Sequence, residues 1–262
     1  MIPLPLALWG ATAFAGPWIH DPRSWYLKVY GARFAGGRSV ELRTQSLGMY
    51  SEVGLVRGVQ LQAELAYISA TSGLEDSALR LGRDAFGPAR VGFGVKPPGV
   101  RVPVSLHVLG RFPLSSSVSA APLQPQLGEP QVDLEVIGAG GGSVPIGSQW
   151  TWGLAELGWR HRTGWTPWPD TEPVQGDDLL YRTQIGLSPQ VASRKVGWVE
   201  LHAAGAFGDP DRSTHQRGGS VAAAIAHGLQ VEVGGDHTYE GGAVHGVSVN
   251  AGLSHVRTRA RE

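Results

Sequence analysis

The chain has 262 residues, and its 22 basic and 22 acidic side chains leave no formal net charge at pH 7. This balance argues against nucleic acid as a partner, because a nucleic-acid interface needs a basic surface. The chain has no cysteine, so an exported form folds without disulfides, and no run of about 20 apolar residues indicates a transmembrane helix.

The first 15 residues, MIPLPLALWGATAFA, have an apolar body and end in Ala13-Phe14-Ala15. This ending has the small-x-small pattern of a signal-peptidase site. We therefore predict that residues 1–15 are a signal peptide and that residues 16–262 form a single mature domain. The basic residue that usually precedes the apolar body is missing, and a buried N-terminal segment is the alternative.

Segments with alternating apolar and polar residues recur along the chain, and each is typical of a half-buried β-strand. In the first part of the chain they span residues 25–34, 41–53, 59–68, 89–96 and 102–111. In the second part they span residues 132–136, 150–162, 179–185, 199–203, 219–227, 229–236 and 247–253. About twelve segments of roughly ten residues suit strands that cross a bilayer at a tilt.

The stretch from Val59 to Ile68 shows why one strand is ambiguous. Its apolar side chains fall on one face and its polar side chains, Gln60, Gln62 and Glu64, on the other. A soluble sandwich would turn the apolar face inward. A membrane barrel would turn the apolar face toward lipid and the polar face toward the lumen.

The connections between the segments favour the barrel. Short turns are predicted at 54–58, 97–100, 143–148 and 227–228, with a somewhat longer one at 188–197. Long polar loops are predicted between them, at 69–87, 113–130, 163–177 and 208–218. Alternating short and long connections are typical of outer-membrane barrels, so we predict an all-β fold, a transmembrane antiparallel β-barrel of about 12 strands.

Charged and amide side chains lie on the polar faces in the middle of the predicted strands. In a barrel they would line the lumen with both signs of charge, where pairing and water offset the cost of burial. A soluble sandwich with these residues outside is the alternative. The predicted lumen-lining residues are Lys28, Gln60, Gln62, Glu64, Arg90, Arg111, Asp133, Glu135, Glu156, Arg160, Arg182, Glu200 and Glu232.

Several short motifs follow one another along the mature chain. They are Gly16-Pro17-Trp18, Trp25–Val29, Met49–Leu55 with Val59–Tyr67, Pro88–Lys96, Arg111-Phe112-Pro113 and Ala155–Arg160. In this order they resemble the bacterial outer-membrane family of meta-pathway phenol-degradation proteins, which are barrel transporters. The resemblance implies localisation in the bacterial outer membrane and a porin-like role, although a fold alone does not identify the solute.

Three motifs have a possible chemical role that their context disfavours. The glycine run from Gly138 to Gly142 lacks the Lys-Ser/Thr of a phosphate-binding loop. Asp236, His237, Glu240 and His245 flank one loop, but adjacent strand residues point to opposite faces and cannot ligate one metal. The same geometry separates Ser254 from His255, so we predict no enzyme activity, no metal and no cofactor.

Tryptophans occupy two kinds of position. Five lie near strand ends on the short-turn side and are predicted to form an aromatic girdle at the membrane surface. These are Trp18, Trp25, Trp150, Trp152 and Trp198. Trp165 and Trp168 lie in a long loop, where they form either a capture surface for an aromatic or apolar solute or the packing of a loop on the barrel mouth.

The leading functional hypothesis is therefore passive passage of small, aromatic or apolar, solutes through the lumen, with outer-membrane lipid as the surrounding partner. The second hypothesis is a non-transporting structural or surface-interaction barrel whose long loops carry its role. The third is a lipid-modifying outer-membrane enzyme, which needs a lipid-facing nucleophile beside a histidine.

Overall fold

A computed structural model describes residues 18–37, 40–74, 80–115, 125, 127, 129–147, 149–168, 171, 173–174, 176–191, 194–208, 213–226, 228–240 and 245–257. The predicted signal peptide, 1–15, lies outside these residues. The strands are β1 (Trp25–Gly36), β2 (Val40–Val56), β3 (Val59–Leu74), β4 (Arg80–Phe86), β5 (Ala89–Val95), β6 (Val104–Phe112), β7 (Asp133–Ile146), β8 (Gln149–Arg162), β9 (Asp178–Val191), β10 (Arg194–Lys195), β11 (Gly197–Phe207), β12 (Thr214–Ala226), β13 (Leu229–Glu240) and β14 (His245–Arg257). The described part of the chain has no helix long and apolar enough to cross a membrane.

The strands form one antiparallel sheet that closes on itself, because β1 pairs with both β2 and β14. β4 and β5 both pair with β3 and together make one position in the wall, interrupted at Gly87-Pro88. β10 is a two-residue extension of the hairpin between β9 and β11. The result is a closed barrel of twelve antiparallel strand positions, which confirms the predicted fold class.

The two faces of the sheet are inverted relative to a soluble protein. Large apolar side chains on the outer face are widely exposed, with Leu157 and Leu201 each at 65%. Polar side chains on the inner face are buried, with Gln60 and Glu135 both at 0%. A soluble sandwich would bury the apolar face, so this arrangement fits a wall with lipid outside and a polar interior.

The two ends of the barrel differ in the length of their connections. At the short-turn end the strands are joined by 57–58, 96–103, 147–148, 192–193 and 227–228, and Trp25 and Arg257 lie at the same end. The opposite, long-loop end carries 113–132 and 163–177, which are longer than any connection at the short-turn end, and also the short connections 37–39, 75–79, 208–213 and 241–244. The described residues of the long loops predicted at 113–130 and 163–177 contain no strand, and both connections lie at this end.

The loops predicted at 69–87 and 208–218 are wrong in extent. β3 continues to Leu74, β4 begins at Arg80, and β12 begins at Thr214. The predicted turns are also too long at 143–148 and 188–197, since β7 reaches Ile146 and β9 reaches Val191. The polar character of these segments is misleading because backbone hydrogen bonds continue the sheet beyond the lipid level, where outward side chains need not be apolar.

Glycine makes the tight turns at the short-turn end possible. Gly58, between β2 and β3, has a φ of 81°, and Gly228, before β13, has a φ of 73°. Residues with a Cβ rarely adopt these left-handed values. By contrast, the run from Gly138 to Gly142 lies within β7 and is strand rather than a phosphate-binding loop.

Aromatic rings on the outer face mark both ends of the apolar band. Near the long-loop end the ring of Tyr181 stacks on Phe207 at 5.2 Å between centroids, and His215 packs against both. Near the short-turn end Trp25 stacks on His255 at 4.8 Å. Aromatic rings of this kind are enriched where a membrane meets water.

Candidate functional site in the barrel lumen

The inner face divides into two regions with different contents. We call the side lined by β2 to β8 the filled half and the side lined by β9, β11 to β14 and β1 the cavity half. The predicted lumen residues are distributed over both. Lys28, Arg182, Glu200 and Glu232 border the cavity, whereas Gln60, Gln62, Glu64, Arg90, Arg111, Asp133, Glu135, Glu156 and Arg160 lie in the filled half or at its edge.

Glu135 is the centre of a charge network in the filled half. Its Oε2 lies 2.5 Å from Nη2 of Arg90, and its Oε1 lies 2.9 Å from Nη2 of Arg160. Arg90 also bonds Oε2 of Glu64 at 3.1 Å, and the hydroxyl of Tyr30 donates to Oε1 of Glu64 at 2.9 Å. Because each buried charge contacts an opposite charge, the network offsets the desolvation cost of placing these groups inside the wall.

The network continues to the long-loop end through Glu129, which lies in the connection between β6 and β7. Oε2 of Glu129 accepts from Arg111 at 3.0 Å, and Oε1 accepts from Arg162 at 2.7 Å. Arg162 also bonds Asp178 at 2.7 Å, and Arg111 bonds Asp133 at 3.2 Å. Although burial raises the pKa of Glu129, the two guanidiniums outweigh it and lower that pKa to about 2.

Other residues of the same connection enter the barrel mouth. Leu127 is only 3% exposed and packs against Ile68 and Ala70 on β3. Gln131 is 1% exposed and bonds both the N–H and the carbonyl of Val174 in the neighbouring long loop. The two long connections therefore support each other over the filled half.

The segment before β1 occupies the filled half from the short-turn end. His20 contacts Oε2 of Glu52 at 2.8 Å through its ring, and its backbone N–H donates to Oε1 of Gln60 at 2.9 Å. The buried His107 adds contacts to Ser105 at 2.7 Å and to Gln62 at 3.3 Å. Among the described residues, the filled half is thus packed with side chains and chain segments from both ends.

The cavity half contains an open space of about 160 Å³. Its charged groups contact one another: Lys28 bonds Glu232 at 2.6 Å, and Arg182 lies 3.9 Å from Glu156. Asp236 and Glu200 share His202, which contacts the first through Nε2 and the second through Nδ1. The residues that line it are Tyr26, Lys28, Arg182, Gln184, Trp198, Glu200, His202, Ala204, Gln216, Ser220, Glu232, Asp236 and Asn250.

Hydrogen bonds hold the acidic lining of the cavity in place. Asp236 accepts from Asn250 at 3.2 Å and from Ser248 at 3.3 Å. Glu200 accepts from Ser220 at 3.1 Å and from Gln184 at 3.3 Å. Fixed acceptors of this kind keep a constant geometry while a small molecule enters or leaves.

The predicted aromatic girdle is wrong for three of its tryptophans. Trp150 and Trp152 share the strand face of the buried Glu156, and Trp198 lines the cavity and donates to Oε1 of Gln230 at 3.2 Å. Period-2 alternation within β8 and β11 already implies this inward direction. The rings therefore add aromatic surface to the lumen.

Trp165 and Trp168 lie where the sequence places them, in the connection between β8 and β9. Trp165 is 60% exposed, and its carbonyl accepts from the backbone N–H of Val132 at 2.9 Å. Trp168 is half-buried; its carbonyl accepts from the hydroxyls of Thr166 and Thr171, and its backbone N–H donates to the Thr166 hydroxyl. The two loops are joined here, and capture of a solute by these rings stays a prediction.

In two of the sequence motifs considered for chemistry, the neighbouring residues lie on opposite faces of the barrel wall. Ser254 is 4% exposed on the inner face, whereas His255 stacks on Trp25 outside. Asp236 is likewise buried inside, whereas His237 packs on Tyr239 on the outer face. Within the described ranges, no three His, Asp or Glu side chains are grouped so as to hold a metal ion.

No family model matches the chain, and no curated protein matches its sequence. Solved structures match its fold. An outer membrane channel from Pseudomonas putida F1 aligns with a TM-score of 0.66 at 12% identity, over 94% of this chain and 100% of the other. The β-domain of a Bordetella autotransporter aligns with a TM-score of 0.54 at 13% identity, over 90% of this chain and 100% of the other. The transport unit of an Escherichia coli autotransporter aligns with a TM-score of 0.52 at 12% identity, over 88% of this chain and 90% of the other.

The chain has the fold of a bacterial outer-membrane β-barrel. The predicted outer-membrane localisation agrees with that fold. The predicted resemblance is confirmed as far as the outer-membrane barrel fold is concerned. The narrower resemblance to the phenol-degradation family stays a prediction.

Proposed function

We propose that this protein is an outer-membrane channel that passes small solutes through the cavity half of its lumen. The observation that carries the proposal is the space of about 160 Å³ inside a closed, lipid-facing barrel whose other half is filled. The fold likeness to the Pseudomonas putida channel supports the same role. We assign the thirteen predicted lumen residues to the wall of this passage and to the packing beside it.

The lining favours small neutral solutes with an aromatic or apolar face. Lys28 and His202 contact carboxylates, so little unpaired charge faces the space. Tyr26 and Trp198 offer ring surface for stacking, and Gln184 and Asn250 offer hydrogen bonds. A cavity of about 150 Å³ accommodates one benzene ring, which sets the size of a suitable solute.

Trp165 extends this proposal to the long-loop end. Its ring is widely exposed beside the joined loops, and we assign to it, together with Trp168, the first contact with a solute that approaches from outside. A ring exposed on a fixed backbone is suited to stacking because little conformational entropy is lost on binding.

A non-transporting barrel is the second candidate. The observation that favours it is the charge network around Glu135, together with the loop residues Leu127 and Glu129, because these close the filled half. A lipid-modifying enzyme has no comparable support, since Ser254 and His255 lie on opposite sides of the wall.

Conductance in planar bilayers and swelling of liposomes test the channel. The wild type should conduct, and Trp198→Ala should raise conductance and admit larger neutral solutes, because it removes a ring from the cavity wall. Trp159→Ala is the matched control, since that ring is 46% exposed on the outer face. A wild type without conductance would favour the non-transporting barrel.

Export of the chain is a separate proposal, with cleavage after Ala15 and Gly16 as the first mature residue. The mass of the protein purified from outer membranes tests it directly. A mass that includes residues 1–15 would contradict cleavage.

A further inference from the structure

The outer wall formed by β12, β13, β14 and β1 carries arginines near the long-loop end. Arg217 lies four residues into β12, and Arg33 lies four residues from the end of β1. Both are exposed on the face that otherwise bears Val233, Val247 and Val249. A guanidinium on a lipid-facing wall is costly unless it lies at the membrane surface.

Neither arginine has a carboxylate partner among the described residues. The outward positions of these four strands, as far as the structure describes them, contain no Asp or Glu. Arg217 lies over the ring of Tyr239 at 5.0 Å, and Arg33 has no polar side-chain contact in the described chain. Elsewhere at the same end the outward Arg43 and Arg80 both bond Glu41, at 2.5 and 2.6 Å.

A recess lies between the two unpaired arginines. Arg33 is in register with Val249, which faces Gly235 on β13, and Arg217 faces the adjacent His237. Gly235 has no side chain, and a Cβ there would lie only 3.3 Å from the carbonyl of Ser248, so the outer face carries backbone alone at this point. Three strand steps of about 4.8 Å and a register offset of two residues separate Arg217 from Arg33 by about 16 Å.

The level of the recess matches that of lipid head groups. Tyr239, His237 and His245 form a cluster of edge-to-face rings around Arg217, and Tyr181, Phe207 and His215 continue it on the neighbouring strands. Interfacial aromatic rings lie at the level of lipid head groups. Two guanidiniums at this level complement an anionic lipid, and Arg binds phosphate oxygens with paired hydrogen bonds.

We propose that this surface, formed by Arg33, Arg217, Gly235, His237 and Tyr239, binds the phosphate groups of an outer-leaflet glycolipid. Arg217 and Arg33 donate to phosphate, His237 and Tyr239 border the head group, and Val233, which lies nearer the middle of the wall, contacts the acyl chains. The site lies outside the barrel and is independent of solute passage through the lumen.

Native mass spectrometry of the detergent-purified full chain tests this site with a bisphosphorylated lipid A as the probe. The double variant Arg33→Gln/Arg217→Gln should raise the half-saturating concentration of lipid A about tenfold, because it removes two charge-assisted phosphate contacts. Arg80→Gln is the matched control and should leave binding unchanged, since Arg80 lies on β4, three strands from Arg33, and already contacts Glu41.

Two further arms define the ligand. Wild-type protein should bind the dephosphorylated glycolipid about tenfold more weakly than lipid A, and excess inorganic phosphate should not displace bound lipid A. Equal binding by the double variant, equal binding of the dephosphorylated glycolipid, or displacement by inorganic phosphate would each overturn the proposal. A β-sheet circular dichroism spectrum establishes that each variant is folded.

Discussion

At the scale of single residues, Glu135 shows how a buried charge is tolerated in the wall. It is fully buried and contacts Arg90 on β5 and Arg160 on β8. Removing the carboxylate would leave two guanidiniums without their shared partner, and such a loss is more costly than the intact pair is stabilising.

Glu135→Gln should therefore lower the free energy of unfolding by about 3 kcal/mol, as measured by urea unfolding in lipid vesicles with tryptophan emission. Glu41→Gln, on the exposed outer face, is the control and should have little effect, because water and salt screen that pair. Equal losses in the two variants would contradict a special role of the lumen network.

The ring of Trp152 on β8 packs against Gly186 on β9. They face each other across β8 and β9, and a Cβ on Gly186 would lie only 2.4 Å from Cζ2 of the Trp152 ring. The glycine therefore leaves room for the ring to lie flat against the inner wall.

Gly186→Ala should cost about 1–3 kcal/mol of unfolding free energy and shift tryptophan emission, because the ring of Trp152 must move. Gly142→Ala is the control, since no atom lies within 4 Å of its Cβ position. Unchanged stability and emission in Gly186→Ala would contradict the packing described for this ring.

Side-chain direction was predictable from strand alternation, and side-chain partners were not. Period-2 alternation places Arg90, Glu135 and Arg160 on the polar face, and the same rule applied to Trp152 and Trp198 points them inward. The partners Glu129 and Asp178 carried no such signal, because one lies in a loop and the other at a strand start whose register depends on the closed sheet.

At the scale of elements, the described residues near the end of the connection between β6 and β7 pack into the barrel. Leu127 occupies an apolar position beside Ile68, and Glu129 contacts Arg111 and Arg162. Because the pKa of Glu129 is lowered, the stabilisation from its ion pairs is fully present above the ordinary pKa of 4.5 and is lost as the pH falls through about 2.

Glu129→Gln should release this connection and raise single-channel conductance at pH 7 by opening the long-loop end of the filled half. Lowering the pH well below the ordinary carboxyl pKa should produce the same increase in the wild type, because protonation of Glu129 removes its ion pairs with Arg111 and Arg162. Recordings at pH 7 and at strongly acidic pH check both, and an unchanged conductance of Glu129→Gln at pH 7 would contradict the anchoring role of Glu129.

The sequence predicted the presence of each barrel strand better than it predicted where each strand begins and ends. All twelve predicted segments lie within or overlap strands of the barrel, including the alanine-rich stretch at 219–227. Their ends extend further than polarity suggests, as with β3 to Leu74 and β12 from Thr214, since sheet hydrogen bonding does not need an apolar outer face above the membrane.

At the scale of the whole molecule, the lumen is asymmetric. Charged side chains, the segment before β1 and a long loop fill one half, and a cavity with aromatic and paired polar lining remains in the other. Composition predicts a lining with both signs of charge, but the division into halves depends on loop and N-terminal contacts that strand periodicity does not describe.

The central claim is that solutes pass through the cavity half, and thiol modification tests it because the chain has no cysteine. In planar bilayers, a bulky thiol reagent should reduce the conductance of Ala204→Cys, which lines the cavity, by more than half. The same reagent should leave the lipid-facing Ala251→Cys and the filled-half Ala139→Cys, 6% exposed in the wild type, unaffected. Full conductance in modified Ala204→Cys, or block through Ala139→Cys instead, would contradict the account.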